Sequence, residues 1–217
     1  MNDFWIFIII SFLLFAGWFI RNCYEYGINT VPQNKGQRGE IFVVDALNRW
    51  ATENELQATA YQYKTPRNQI QKIDVCFDST RYHNIGIEVK FRNIQNLYYL
   101  KMEHVSRHHL DGNRQSSKQL YEYILPNNLL GLYAFVFDDS ENTNLYFLPH
   151  YILEKMILSG KETIRIEEIK SHPNGYAWCN DNPLYYGDIM NHSNQTFSNY
   201  IETEFNNQTK FIFPSAN

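Results

Sequence analysis

Regular spacing of apolar residues in the first half of the chain predicts one helix followed by three strands. From Gly39 to about Thr52, apolar side chains recur every three or four residues, which is typical of an amphipathic helix. Beyond this segment apolar and polar residues alternate, as they do along a half-buried strand. The alternation predicts strands at Leu56–Lys64, Ile70–Phe77 and Ile85–Arg92.

The second half of the chain begins with two more helical patterns and then returns to strands. Helical spacing extends over Leu97–His109 and Ser116–Leu125, and the continuous apolar run Leu129–Asp138 is typical of a buried central strand. A strand at Leu145–Leu148 and a helix at Tyr151–Leu158 follow. This order predicts an α/β fold in which a mixed sheet is flanked by helices.

Residues 171–217 are rich in Asn, Tyr and Gly and show no clear period. We expect a loop-rich C-terminal extension there, with one late strand near Lys210–Phe213. The chain as a whole is then divided into a membrane anchor at 1–21, a polar linker at 22–35, an α/β domain at 36–170 and the extension at 171–217.

The membrane anchor is predicted from a long apolar run near the N-terminus. Residues Phe4–Ile20 carry no charge, and at ~1.5 Å per residue they span about 25 Å, which suffices for a thin bilayer. Trp5 and Trp18 lie at the two ends, where indole rings favour the interface. Because Arg21 follows the run and only Asp3 precedes it, we expect a single-pass protein with its N-terminus outside and its folded domain in the cytoplasm.

Two alternatives to this topology stay open. A cleaved secretory signal would begin with basic residues and end in small ones, whereas this segment begins Met1-Asn-Asp3 and ends Trp18-Phe-Ile20. A reversed orientation would place the folded domain outside the cytoplasm. The flanking residues favour the retained anchor with a cytoplasmic domain.

Charge is distributed unevenly along the chain. The formal net charge of −4 for 217 residues would by itself argue against a nucleic-acid partner. Residues 31–125, however, carry 13 Lys and Arg against 10 Asp and Glu, whereas residues 126–217 carry 5 against 11. The three cysteines are widely separated and give neither a disulfide framework nor zinc-ligand spacing, which favours a reducing compartment.

Four residues of the basic half have the types and spacing of a metal-dependent phosphodiesterase site. Glu88 and Lys90 alternate with apolar residues on one predicted strand and therefore share a face. Asp74 lies on the preceding strand and can approach Glu88 across about 4.8 Å. Glu40 falls in the first turn of the predicted helix. Two acids and an amine on neighbouring strands suit the chemistry of a phosphodiester.

Mg²⁺ is the expected cofactor, with Mn²⁺ as a substitute. Mg²⁺ prefers hard oxygen ligands, usually one or two carboxylates with water and phosphate completing the set. It can activate a water molecule and stabilise the charge that develops on phosphorus. We expect Asp74, Glu88 and the Val89 carbonyl to bind the metal, Glu40 to hold a metal-bound water or a second ion, and Lys90 to orient the attacking water.

The segments Gly36-x-x-Gly39-Glu40, Ile73-Asp74 and Ile87-Glu-Val-Lys90 together resemble the PD-(D/E)XK nuclease superfamily. They are similar to archaeal Holliday-junction resolvases and to the nuclease-related domain, and the resemblance covers residues 36 to about 137. It implies a restriction-endonuclease-like core that cleaves DNA, structured or foreign, with a divalent metal. Junction cutting would further imply a homodimer.

The same resemblance extends to a Gln-x-x-x-Tyr pair at Gln119 and Tyr123, which recurs in several nuclease branches. It implies that Gln119 positions the substrate and that Tyr123 contacts a phosphate. Arg114 and Lys118 lie just before this pair, and we expect them to contact DNA phosphates.

Each of these features also has a structural interpretation. An isolated Glu-x-Lys strand is usually a solvated ion pair, and Glu40 can stabilise the start of its helix through the helix dipole. Tyr123 can belong to the core, and Arg114 with Lys118 can lie on a solvated face. For the whole chain, the alternative to an enzyme is a catalytically inactive nuclease-fold module that binds DNA or a protein partner at the membrane.

Overall fold

The computed structural model describes residues 35–64, 73–93, 98–101, 119–138, 143–178, 184–186 and 196–211. The chain divides into two units, Met1–Gln37 and Arg38–Asn217, and the architecture given below is that of the second unit. The predicted domain boundaries within the chain stay predictions.

The first described element is helix α1, Lys35–Glu53. It begins earlier than the apolar period suggested, because the polar first turn continues the same helix without contributing to its buried face. That face consists of Val43, Leu47, Trp50 and Ala51, which are all buried. Their spacing of three and four residues is the one that the sequence predicted.

A seven-stranded mixed sheet forms the centre of the domain, in the order β1-β2-β3-β5-β6-β8-β9. β3 and β5 pair in parallel, and the other neighbours in the sheet are antiparallel. The strands are β1 Ala58–Gln62, β2 Val75–Ser79, β3 Ile85–Asn93, β5 Leu130–Asp138, β6 Thr143–Pro149, β8 Gly175–Trp178 and β9 Leu184–Tyr186. A separate two-stranded sheet pairs β4, Tyr99–Lys101, with β7, Thr163–Arg165.

Helices lie against both faces of the large sheet. The first face packs against α1 and against the C-terminal helix α4, Phe197–Thr209. The second face packs against α2, His150–Leu158, and α3, Ile166–Lys170, together with the two-stranded sheet. A π-helix at Gln119–Ile124 also contributes Ile124 to this second core. The fold is therefore mixed α/β with a mixed sheet flanked by helices, as the sequence predicted.

Two predicted segments differ from the structure in the middle of the chain. The helix expected over Leu97–His109 is wrong at Tyr99–Lys101, which form strand β4, and residues 102–110 lie outside the described part. Leu100 is buried between two exposed neighbours, so three residues are enough to make a strand where a longer helical period was expected. The described end of the second helix, Ser116–Leu125, is the π-helix.

The C-terminal residues differ most from the prediction of a loop-rich extension. β8 pairs with β6 in the main sheet, and α4 packs its buried residues Phe197, Tyr200 and Ile201 into the first core. The helix continues to Thr209, and Phe211 follows it without strand geometry. The late strand expected near Lys210–Phe213 is therefore wrong over its described residues.

Polar side chains explain why this helix docks so firmly despite its mixed composition. The Gln208 amide donates to the Leu129 carbonyl at 2.8 Å and accepts from the Gly131 amide at 2.9 Å. The Tyr151 hydroxyl donates to the buried Glu204 carboxylate at 2.8 Å. Buried polar groups that are satisfied in this way fix the register of α4 against the start of β5.

The predicted membrane anchor at 4–20 and the linker lie outside the described residues. Within the part of the chain that the structure describes, none of the helices is both long enough and apolar enough to cross a membrane.

Candidate active site

The centre of the candidate site is a charged pair on strand β3. Ile87 and Val89 belong to the first core, so the intervening Glu88 points to the opposite face of the sheet. Lys90 follows on the same face, and its ammonium group donates to Glu88 Oε1 at 2.6 Å. Glu88 is 3% exposed and Lys90 is 5% exposed. Such burial distinguishes this pair from the solvated ion pair that an exposed strand would carry.

Asp74 joins the pair from the residue that precedes β2. The antiparallel register pairs Val75 with Ile87, so Asp74 falls beside Glu88. Two hydrogen bonds of 2.8 Å fix it there: its backbone amide donates to the Ile87 carbonyl, and its Oδ2 accepts from the Val89 amide. The Asp74 carboxylate thus binds the backbone of β3 on the residue directly after Glu88.

Burial raises the pKa of the Asp74 carboxyl to about 7, and the nearby Glu88 carboxylate acts in the same direction. The Val89 amide and the Lys90 ammonium lower that pKa, while Glu40 raises it. The net result is a raised pKa for Asp74, and a bound cation beside these carboxylates would lower it. Strong perturbation of a buried acid by specific neighbours is typical of functional sites.

Glu40 reaches this cluster from helix α1, on the other face of the sheet. Its Oε2 accepts a hydrogen bond from the Gln62 side chain at 3.1 Å, and both residues are half-buried. Gly39 allows the helix to approach β3 closely: a Cβ at this position would lie 2.8 Å from the Phe91 Cβ. The Gly39-Glu40 pair therefore serves a geometric purpose, because the glycine brings the carboxylate of its neighbour toward the site.

Tyr123 lies on the π-helix, where its ring centroid is 5.8 Å from that of Tyr63. Burial and a hydrogen bond with Tyr63 raise the pKa of its hydroxyl. Gln119 belongs to the same π-helix, but its side chain, like Arg114 and Lys118, lies outside the described part of the structure. Their predicted contacts with the substrate stay predictions.

Oxygen donors of the kind that Mg²⁺ prefers are available at this site. In an extended strand the N–H and C=O of one residue point to the same side, so the Val89 carbonyl faces β2 as its amide does. Among the described residues, no group of three His, Cys, Asp or Glu side chains is arranged to hold a metal. Two carboxylates and a carbonyl, with water and substrate as the other ligands, are the donor types that a Mg²⁺ ion takes.

Sequence reasoning missed two residues of this site, Gln62 and Tyr63. The pairing of Gln62 with Val75 in the β1–β2 register places Tyr63 next to Asp74, and the Tyr63 amide donates to the Asp74 carbonyl at 2.8 Å. The alternation of apolar and polar residues predicted the strands Leu56–Lys64 and Ile70–Phe77. It does not predict which residues of the two strands pair with each other.

Comparison with known proteins adds little at the level of sequence. No family model matches the chain, and no curated protein matches it significantly. Among solved structures, the chain is similar to Hjc, a Holliday junction resolvase from the archaeal hyperthermophile Archaeoglobus fulgidus. The two are 14% identical, the match covers 58% of this chain and 90% of Hjc, and the TM-score is 0.36. Because both values are low, the function of this chain is inferred from its own residues.

Proposed function

We propose that this protein is a metal-dependent nuclease that hydrolyses phosphodiester bonds of DNA. The observation that carries the proposal is the convergence of Asp74, Glu88 and Lys90 at one buried point, with the pKa of Asp74 raised to about 7. Residues 88 and 90 share a strand, whereas Asp74 is held against them by the β3 backbone. Nothing in the packing of a core requires three buried charges at this position.

The proposed metal ligands are Asp74, Glu88 and the Val89 carbonyl, with Glu40 supporting a metal-bound water or a second ion. When bound, Mg²⁺ or Mn²⁺ would stabilise charge on the phosphate and lower the pKa of a bound water. The hydrogen bond from the Val89 amide holds Asp74 in place without the cation. Gln62 does the same for Glu40. This preorganisation reduces the rearrangement needed at the moment of reaction.

Lys90 has a separate proposed role. Its ammonium group is bound to Glu88 and lowers the pKa of Asp74. Beside a phosphate it would offset the negative charge of the transition state and orient the attacking water. Because Asp74, Glu88 and Lys90 are each at most 5% exposed, we propose that the substrate approaches past Tyr63, which is half-buried and lies beside Asp74 on the same face of the sheet.

The wider setting of the enzyme is also part of the proposal. The apolar run at residues 4–20 would anchor the chain as a single-pass protein, with the catalytic domain in the cytoplasm. The substrate would then be DNA near the membrane, either structured DNA or foreign DNA. A homodimer would be required if that substrate is a two-fold junction.

A second candidate function is a catalytically inactive module that binds DNA or a protein partner at the membrane. The specific observation in its favour is that the described side chains include no ready-made group of three metal ligands. In addition, the Lys90 ammonium lies against Glu88 at 2.6 Å, which neutralises one of the two acids without a metal.

Cleavage by the purified full chain distinguishes the two functions. We expect the protein to cut plasmid or branched DNA with Mg²⁺ or Mn²⁺ and to stop when EDTA is added. Asp74→Asn should lower the rate at least about a hundredfold, whereas Asp45→Asn, an exposed acid on α1, should leave it unchanged. Unaltered cutting by folded Asp74→Asn, or cutting in EDTA, would contradict the nuclease. DNA binding without cleavage would support the inactive module.

A further inference from the structure

On the second face of the main sheet, several residues at the β1–β2 end are exposed to solvent. Over β5 and β6 this face is covered by α2, α3 and the two-stranded sheet. At the β1–β2 end, by contrast, Thr59 and Asp78 are exposed, and Tyr61 is 42% exposed. The Tyr61 ring therefore presents part of its surface to solvent on the same face of the sheet as Asp74 and Glu88.

These exposed positions lie on the same face of the sheet as the acid cluster. Tyr61 pairs with Cys76, and Tyr63 is the next residue of the same face, beside Asp74. Two residues of a strand span about 7 Å, so the Tyr61 ring lies roughly one nucleotide step beyond the Tyr63 ring. Tyr123 supports Tyr63 from the π-helix, at 5.8 Å between ring centroids. We call Tyr61, Tyr63 and Tyr123 the tyrosine platform.

We infer that the tyrosine platform binds unpaired bases of the DNA strand whose phosphate lies at Asp74. The inference rests on the proposed nuclease function and names its substrate class: a strand with single-stranded nucleotides next to the cut. Aromatic side chains stack with bases of any sequence, and such stacking is the usual means of holding single-stranded DNA. Bases within a duplex are already stacked on one another, so they cannot use these rings.

The chemistry around Tyr61 favours contact with bases over contact with phosphates. Its hydroxyl donates to Asp78 Oδ2 at 2.9 Å, so the far end of the platform carries a negative charge. A carboxylate there repels a phosphate but does not prevent a neutral base from stacking on the adjacent ring. At the other end of the platform, the exposed Lys64 follows Tyr63 along the chain.

The experiment compares two DNA probes with the full chain and its Tyr61 variants. Fluorescence anisotropy without divalent metal measures the affinity for an oligonucleotide of about 15 nucleotides and for the blunt duplex of the same sequence, at one salt concentration. Tyr61→Leu keeps an apolar side chain but removes the ring. Tyr61→Phe keeps the ring but removes the hydroxyl. Tyr98→Leu is the control, since Tyr98 is 80% exposed beside the two-stranded sheet.

We expect Tyr61→Leu to bind the single strand about tenfold more weakly and the duplex less than about twofold more weakly. Tyr61→Phe and Tyr98→Leu should bind both probes as the parent does. Equal loss on both probes, or no loss, would overturn the inference. Loss in Tyr61→Phe as large as in Tyr61→Leu would also overturn it, because the hydroxyl and Asp78 would then be responsible. Circular dichroism checks that each variant is folded.

Cleavage assays separate the failure of this inference from the failure of the proposed function. If the parent never cuts DNA but Tyr61→Leu binds only the single-stranded probe more weakly, the platform is supported and the nuclease is not. If the parent cuts with Mg²⁺ and Tyr61→Leu binds the single strand as well as the parent does, the nuclease stands and the platform does not.

Discussion

At the scale of single residues, the most informative group is the Asp74 carboxyl. A buried acid normally stays protonated or finds a cation, and here Lys90 is shared with Glu88 while Glu40 lies within range. Ionisation of Asp74 therefore costs stability in the folded domain, and the divalent ion proposed for this site would offset that cost.

The cost can be measured as a dependence of stability on pH. Burial raises the Asp74 pKa from 3.8 to about 7, so between these values the folded state binds more protons than the unfolded state. The free energy of unfolding of the metal-free protein should therefore fall as pH rises from 4 to 7. In the parent this decrease in the free energy of unfolding should reach up to about 4 kcal/mol, and in Asp74→Asn it should be absent.

Urea unfolding at pH 4 and pH 8, with EDTA present, measures this difference. The exposed Asp45→Asn serves as the control and should follow the parent at both values. The account of Asp74 would be wrong if the parent and Asp74→Asn showed the same change between the two pH values.

The Glu88–Lys90 pair gives a second prediction at this scale. Lys90→Met leaves the Glu88 carboxylate buried without its 2.6 Å partner, and breaking a buried pair in this way costs about 3–5 kcal/mol. Adding Glu88→Gln to Lys90→Met removes the unpaired charge and should recover most of the loss. A double-mutant cycle by urea unfolding measures the coupling; additive effects of the two substitutions would refute it.

At the scale of elements, helix α1 is fixed to the sheet at two places. Gly39 lies against β3, where Val89 Cγ1 would be 3.2 Å from an added Cβ. Further along, the Asn48 side chain donates to the Ala60 carbonyl at 3.0 Å and accepts from the Ala60 amide at 2.7 Å. The first contact sets the position of Glu40, and the second covers the open edge of β1.

Gly39→Ala tests the first contact. The new methyl group would lie 2.8 Å from the Phe91 Cβ, so the helix must move away from β3. We expect a loss of about 1–3 kcal/mol from overpacking, which exceeds the gain of up to about 1 kcal/mol in helix propensity. Gly36→Ala, at an exposed position of the same helix, should instead be neutral or stabilising. Thermal unfolding measures the stability of both variants. A Gly39→Ala protein more stable than the parent would contradict the close approach of α1 to β3.

Asn48→Ala tests the second contact. It leaves the Ala60 amide and carbonyl without a partner on the edge of the sheet, at a cost of about 1–3 kcal/mol. The uncovered edge should also increase self-association, which light scattering over a range of concentrations detects. Asn54→Ala, which removes a side-chain bond to the Trp50 carbonyl, is the matched control. Equal behaviour of the two variants would show that Asn48 does not protect the edge.

The elements also show which parts of the fold the sequence predicts. Strands β3 and β5 follow from alternation at Glu88 and Lys90 and from a long apolar run, since local patterns suffice for strands of nine residues. Helix α4 was missed because its interior face is partly polar: Glu204 and Gln208 are buried with hydrogen-bond partners on other elements. Its signal was the spacing of Phe197, Tyr200 and Ile201 after the capping residue Thr196.

The candidate site was predictable to a similar extent. Asp74, Glu88 and Lys90 lie together as their strand positions suggested, because neighbouring strands bring short-range patterns into contact. Gln62 and Tyr63 could not be predicted, because their place beside the acids depends on the register of β1 against β2. Register is decided by tertiary packing, which one sequence does not reveal.

At the scale of the whole molecule, the two faces of the sheet have different roles. The first face is an aromatic core in which Trp50, Phe197 and Trp178 meet edge to face, with ring centroids 5.1 to 6.4 Å apart. The second face carries the buried acids near β1 and β2 and a second apolar core over β5 and β6. An aromatic core on one face thus lies behind the buried charges on the other, where the active site is proposed.

The proposed metal site can be observed by anomalous diffraction from crystals of the protein soaked in Mn²⁺ at pH 8. At this pH the Asp74 carboxyl, whose pKa is about 7, is mostly ionised and able to bind a cation. We expect an anomalous peak within about 2.5 Å of one carboxylate oxygen of Asp74 and one of Glu88. Crystals of Asp74→Asn should lack the peak. The absence of a peak beside Asp74 and Glu88 at saturating Mn²⁺, or peaks at other places only, would contradict the metal-dependent site.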